Sequence, residues 1–204
     1  MILGVTGGIA TGKSTVTKML AEKGAIVVSA DELSRQLVVP GSPVLLKLVQ
    51  RFGAEILNEG GTLNRQKLAD MVFSDPVARK DLEKVMHPAI ALLAQQRLAQ
   101  AVEKQQSTGG LVVYEAPLLY EAGAESRVDK VLAVIVDSVV QLKRLQQRDQ
   151  CDATTAKRRV DSQMSQHEKA RRADYVIDNS KSILELQHQI DEVYRGLCLA
   201  GRRA

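Results

Sequence analysis

An α/β fold with a five-stranded, mainly parallel sheet is predicted by three features of the sequence. Short, almost wholly apolar runs recur along the chain, as strands buried on both faces require. Between them lie longer stretches whose apolar residues follow helical spacing. The first apolar run, Ile2, Leu3 and Val5, breaks into Gly7-Gly8-Ile9-Ala10-Thr11-Gly12-Lys13-Ser14 and resumes as a helical pattern with Val16, Met19 and Leu20 on one face.

That third feature is a G-x-x-x-x-G-K-[ST] phosphate-binding loop between a strand and a helix, the context that gives the motif its meaning. The glycines let the backbone turn its N–H groups inward and deliver a helix N-terminus to an anion. Gly7, Gly8, Ala10, Thr11, Gly12 and Thr15 then line the phosphates of a nucleoside triphosphate. Lys13, expected on an exposed loop, reaches the β- and γ-phosphates as a point charge, and the Ser14 hydroxyl ligates the Mg²⁺ that accompanies ATP.

Composition bounds the rest. With 204 residues, 45% hydrophobic and 25% charged, the chain can bury one good core with appended elements but not a second full domain. It has neither an apolar run long enough to span a membrane nor the zones of a signal peptide, so a soluble cytoplasmic protein is expected. Cys151 and Cys198 match no metal spacing and read as reduced thiols. The net charge of +4 suits polyanions; with 3% aromatic residues and no Trp there is little to stack on bases. Phosphates on small substrates explain the positive balance better than nucleic acid, and no membrane or protein partner is implied.

In chain order, the first helix runs from about Lys13 to Gly24, and Ala25 to Ser29 is a second strand with Asp31 just beyond it. After Pro40-Gly41-Ser42-Pro43 a helical pattern carries Leu45, Leu48, Val49 and Phe52. Asn64 and Asp75-Pro76 read as two further helix starts. His87-Pro88 is expected to interrupt the helical run, which continues through Ile90, Leu93, Leu98 and Val102 to Gly109-Gly110. This region, about 32–105, is a helical insertion between strands, where substrates are held. Leu111 to Tyr114 is a third strand delivering Glu115, and Val131 to Val136 a fourth followed by Asp137. Ser138 and Gln141 read as a capping box for a helix with Leu142 and Leu145 inward and Lys143, Arg144 and Arg148 outward. From Gln150 to Arg172 the chain turns polar and basic, a poor core and a good mobile lid, with Ser165 and Glu168 as a capping box inside it. Tyr175-Val176-Ile177 is the fifth strand, and Ser182 with Glu185 caps a last helix that aligns Leu186, Ile190, Val193 and Leu197. The chain thus reads as one P-loop NTPase-type three-layer sandwich: a nucleotide-binding core (about 1–31, 106–149 and 173–204), the insertion, and a lid (about 150–172).

Several motifs together carry a resemblance: the phosphate loop, Ala30-Asp31 with Arg35, Thr62-Leu63-Asn64-Arg65, Val72-Phe73 and His87-Pro88. To these are added Ala116-Pro117-Leu118-Leu119 with Glu121, Gln147-Arg148, Arg159 with Gln163, and the run from Ala173 to Asn179. Over nearly its whole length the chain resembles the dephospho-coenzyme A kinase family. The resemblance implies ATP-dependent phosphorylation of a ribose 3′-hydroxyl, a helical insertion holding the coenzyme A moiety through Arg65 and His87, and an adenine ring read near Asn179. Pro117, Leu118 and Leu119 would border the acceptor. Ser29 stands where many members carry an acidic residue, so a mechanism needing two carboxylates there lacks its second member.

Phosphoryl transfer rests on positioning and charge neutralisation, so a lysine, a metal, closing arginines and a carboxylate near the acceptor are expected. Lys13, Arg148 and Asp31 are the candidates for catalysis. Asp31 accepts or orients the hydroxyl proton, with Arg35 one helical turn on for substrate phosphate or ribose; the alternative for Asp31 is a helix N-cap. Alternatives stay open elsewhere: Arg65 as a solvated first-turn residue, His87 as a satisfied core histidine, Pro117 as a strand end, and Glu115 as a helix cap or a water-mediated metal contact. Among the lid candidates Arg144, Arg148 and Arg159, Arg148 comes first. Two rival functions remain: a kinase for nucleoside monophosphates or shikimate, and a regulatory GTPase, whose N-K-x-D motif Asp178-Asn179-Ser180-Lys181 has in the wrong order.

Overall fold

The computed structural model describes residues 1–106 and 109–201, the side chains of 74 and 198–201 excepted. The side chain of Cys198 and the last three residues of the 173–204 segment therefore lie outside it, while Cys151 is a free thiol. Among the described residues, no helix is long and apolar enough to cross a membrane. The chain divides into two compact units, Met1–Ser29 with Arg97–Ala204, and Ala30–Gln96.

The first unit holds a five-stranded, wholly parallel sheet in the order β2-β3-β1-β4-β5. Its strands are β1 (Ile2–Gly7), β2 (Ile26–Ser29), β3 (Val112–Glu115), β4 (Lys130–Ile135) and β5 (Tyr175–Asp178). Alternation along β1 sends Leu3 and Val5 to one face, where helices α1 (Lys13–Glu22) and α9 (Ile183–Gly201) bury Val16, Leu20, Leu186 and Ile190 against them. Gly4 and Thr6 face the other way: Val128 and Leu119 cover Gly4, and the Thr6 hydroxyl donates to Pro117 O at 3.2 Å. The remaining helices of this unit are α6 (Ser138–Asp149), α7 (Ala153–Asp161) and α8 (Gln166–Arg172). The expected Ser182–Glu185 capping box closes α9, each residue accepting the other's backbone N–H at 3.2 Å.

The second unit is helical: α2 (Ala30–Leu37), α3 (Pro43–Phe52), α4 (Arg65–Ser74) and the first part of α5 (Pro76–Gln105). Ser42 and Asn64 cap α3 and α4, and Leu45, Leu48, Phe52, Ile56 and Leu68 form its core. The unit ends at Gln96, so Arg97–Gln105 counts with the sheet and the insertion is shorter than 32–105.

Three local expectations are corrected. Pro88 lies inside α5 and does not interrupt it. Proline removes the hydrogen bond to the carbonyl of Lys84, but both residues are exposed, so water can replace the donor. Leu82, Val85 and Met86 before the proline are packed in the helical core, and Ala94 and Leu98 beyond it are buried. Second, α6 is capped by Asp137, whose Oδ1 accepts from Val139 N and Val140 N at 2.9 and 3.2 Å, and Gln141 is buried instead. Third, the 150–172 segment is not uniformly loose. Lys169 of α8 is wholly buried and donates to Pro117 O (2.5 Å) and Glu121 (2.9 Å), so the α8 part is anchored.

Candidate active site

The strand order reverses direction at β1, and the crevice beyond the carboxyl ends of strands at such a point is where open α/β sheets bind ligands. The loop from Gly7 to Gly12 occupies that position. Gly12 has φ +89°, a left-handed conformation, and a Cβ there would strike the Asn179 side-chain amide. That amide, buried just past β5, donates from Nδ2 to Thr11 O at 2.9 Å. Thr11 Oγ1 in turn donates to Gly8 O at 3.0 Å, so the loop is tied to itself and to the end of β5.

Lys13 opens α1 and is buried, at 8% exposure, rather than lying on an exposed loop. Its ammonium donates to Gly7 O (3.0 Å) and Gly8 O (2.8 Å), so the loop that should present it to phosphate also supplies it with acceptors. Ser14 and Thr15 are exposed beside it. The Ser14 hydroxyl lies 3.3 Å from Glu115 Oε1, and Thr17 Oγ1 donates to Glu115 Oε2 at 3.2 Å. Glu115 closes β3, where its Cα is the register partner of both Val5 and Ser29. Beside Ser29, on the adjacent strand, Glu115 thus supplies a carboxylate that faces the hydroxyls of α1.

Arg148, on α6, is exposed and grips its neighbour Asp149 with Nε at 2.7 Å and Nη2 at 3.2 Å; Arg159 of α7 reaches the same carboxylate at 2.5 Å. Hydrogen bonding from Arg148, then from Arg159, holds Asp149 below the usual carboxylate range, and Asp149 raises Arg148 in return. Arg144 is not simply outward: it is half-buried, with Nη1 4.0 Å from the point where a Gly12 Cβ would sit. Leu119 is corrected as a substrate contact, because it is wholly buried against Gly4 and has no surface to offer. Pro117 and Leu118 are half-buried.

Lys13, Ser14, Glu115, Asn179 and Arg144 therefore meet within the first unit. Asp31, Arg35, Arg65 and His87 belong to the second. There Asp31 is the second residue of α2 rather than its N-cap; Asp31, Arg35 and Arg65 are exposed, and His87 is half-buried in α5. Sequence reasoning missed Gln141, hidden by its resemblance to a capping box, and Gln166 and Lys169, whose partners are distant in sequence; it also missed Asp149, which Arg148 and Arg159 share. The Asp137 preceding Ser138 was the signal that could have freed Gln141, since aspartate is a strong N-cap in its own right.

A phosphate loop with a buried lysine, a hydroxyl–carboxylate pair at its mouth and arginines beyond defines a P-loop kinase. The chain belongs to the dephospho-CoA kinase family, whose model matches residues 1–185. The dephospho-CoA kinase of Syntrophotalea carbinolica is 53% identical over 190 residues, which are 93% of this chain and 89% of that protein. Among solved structures, TT1252 from Thermus thermophilus is 32% identical with a TM-score of 0.78 over 97% of each chain. The dephospho-CoA kinase from Campylobacter jejuni is 28% identical with a TM-score of 0.69 over 98% of each.

Proposed function

We propose that the chain, working in the cytoplasm, transfers the γ-phosphoryl group of ATP to the ribose 3′-hydroxyl of dephospho-coenzyme A, giving coenzyme A and ADP. The observation that carries this reading is the buried Lys13 ammonium on the Gly7 and Gly8 carbonyls, beside Ser14 and Glu115, in a chain of that family. Such a transition state asks for positioning and charge rather than covalent help. The loop backbone and Lys13 hold the phosphates. Ser14 Oγ and the Glu115 carboxylate are hard oxygen donors 3.3 Å apart, a set that fits Mg²⁺ completed by phosphate oxygens. Bound there with ATP, the ion supplies neutralisation of the charge on the transferring group.

Asp31 is our choice for the carboxylate that takes or orients the hydroxyl proton, with Arg35 beside it on α2. Arg65 and His87 hold the coenzyme A moiety, and Pro117 and Leu118 border the acceptor. Arg148 closes over the nucleotide from the last turn of α6, and Asn179 lies toward the adenine. An ADP-release assay with dephospho-coenzyme A, AMP and shikimate as acceptors tests the reading. Turnover with dephospho-coenzyme A alone is expected; faster turnover with AMP or shikimate overturns it.

A further inference from the structure

Behind the phosphate loop runs a one-way chain of side-chain amides. Val136 N–H, just past the end of β4, donates to Gln166 Oε1 at 2.9 Å; Gln166 Nε2 donates to Gln141 Oε1 at 3.0 Å; Gln141 Nε2 donates to Ile9 O at 2.8 Å. The chain begins at a backbone donor and ends at a backbone acceptor, so the direction of both amides is fixed. Turning either one sets donor against donor and acceptor against acceptor. Aligned in this way the bonds polarise and strengthen one another. A fourth bond closes on the same residue: Ile9 N–H donates to Gln163 Oε1 at 2.9 Å.

Ile9 is thus held by its N–H and its C=O from two directions, by the turn between α7 and α8 and by α6. The next residue, Ala10, has φ +60°, a left-handed conformation that is strained for a residue with a side chain. Such strain persists only where the surroundings over-determine it. Gly8 shows the same fit, since a Cβ there would lie 2.9 Å from Gln141 Nε2. Gln141 is 2% exposed, which places its amide where water competes least.

We propose that Gln141, Gln163 and Gln166 are positioning residues for phosphoryl transfer: together they clamp Ile9 and hold the strained loop in its phosphate-binding form. The clamp also ties the loop to the segment that carries Arg159. The proposal rests on the nucleotide half of the proposed function and is independent of the acceptor. It demands an amide at 141 and 166, because each must both accept and donate. At 163 it demands only an acceptor.

The test therefore compares Gln141→Glu with Gln163→Glu, with ADP affinity read by titration calorimetry so that the identity of the acceptor does not enter. Gln163→Glu keeps its acceptor for Ile9 N–H and should leave ADP affinity within about threefold. Gln141→Glu places a carboxylate oxygen against Ile9 O and should weaken ADP binding by about tenfold or more. Gln163→Leu should also weaken it, and its KM for dephospho-coenzyme A should stay unchanged while the KM for ATP rises. Should Gln141→Glu fail to fold, Gln166→Leu, one step further from the loop, takes its place with the same expectation for ADP. The proposal is overturned if the variant at 141 (or at 166 in its place) binds ADP like the parent, or if Gln163→Glu and Gln163→Leu lose affinity equally. Failure to phosphorylate dephospho-coenzyme A with these ADP affinities intact would instead sink the acceptor assignment.

Discussion

Around the phosphate loop three polar side chains are buried and bonded to backbone: Lys13 to Gly7 and Gly8, Asn179 to Thr11, Gln141 to Ile9. In the helical unit 30–96 the residues assigned to the acceptor, Asp31, Arg35 and Arg65, stand exposed on the first turns or last turn of helices. The first region carries its geometry before any ligand arrives, so little ordering is left to oppose nucleotide binding. The second leaves long side chains to be ordered by the acceptor itself. Substitutions in the two regions should therefore differ in kind: loss of a built site in one, loss of a contact made only with substrate in the other.

The largest effect is expected at Lys13. Lys13→Ala removes the charge aimed at the transferring phosphoryl group, and kcat should fall by about 10³-fold. Because the ammonium also satisfies two carbonyls, a loss of about 1 kcal/mol in unfolding free energy should accompany it. Steady-state kinetics with denaturant unfolding checks both; an unchanged kcat breaks the assignment of the loop.

Next comes the buried ion pair that anchors α8. Burial lowers the Lys169 pKa, while its bond to Glu121 opposes that shift. Lys169→Ala leaves a cavity and takes the cationic donor from Pro117 O and from the Glu121 carboxylate, which keep only the Thr6 hydroxyl and Met164 N–H, and should cost about 3 kcal/mol by denaturant unfolding. Lys169→Met, which refills the volume, should cost less. Equal losses would mean that the cavity is immaterial and that the lost charge pairing carries the whole effect.

Asp31→Asn tests the other region. On an exposed first turn the change should leave the fold intact, lower kcat by about 10²-fold, and barely alter ATP affinity. Loss of ATP affinity equal to the loss of rate would move Asp31 from the acceptor to the metal.

The same contrast explains what could be read in the sequence. Strands, helix starts and the phosphate loop were legible because each depends on local pattern: apolar runs, caps such as Asn64 and Ser182, glycines at fixed spacing. Gln141 and Lys169 were not, since Ile9 lies 132 positions from the one and Pro117 52 positions from the other. Gln141 even imitated a local motif, and Pro88 misled because packing on either side of it outweighs one lost hydrogen bond. Leu119 looked like an acceptor contact because sequence does not show which face of the sheet a turn covers.

The smallest effect is expected at Arg148, which belongs to neither extreme: it is exposed but already engaged with Asp149. Asp149 is shared with Arg159, so it keeps one partner if Arg148 leaves to grip a phosphate. Arg148→Ala should therefore lower kcat by about tenfold with little change in ADP affinity without acceptor, because the open form lacks the contact. Arg148→Lys should restore part of the rate, since an ammonium reproduces the charge but not the two-pronged grip. The pH dependence sharpens the point. Asp149 has a folded pKa below its unfolded value, so its contribution to stability is present above about pH 4 and lost as pH falls through the lowered value. Between pH 5 and 8 the arginine pair should thus carry its counter-ion unchanged, and the ratio of parent to Arg148→Ala rates should be flat. A ratio that varies across that range, or an Arg148→Ala enzyme with full activity, would remove Arg148 from the transfer step and leave it as a solvated partner of Asp149.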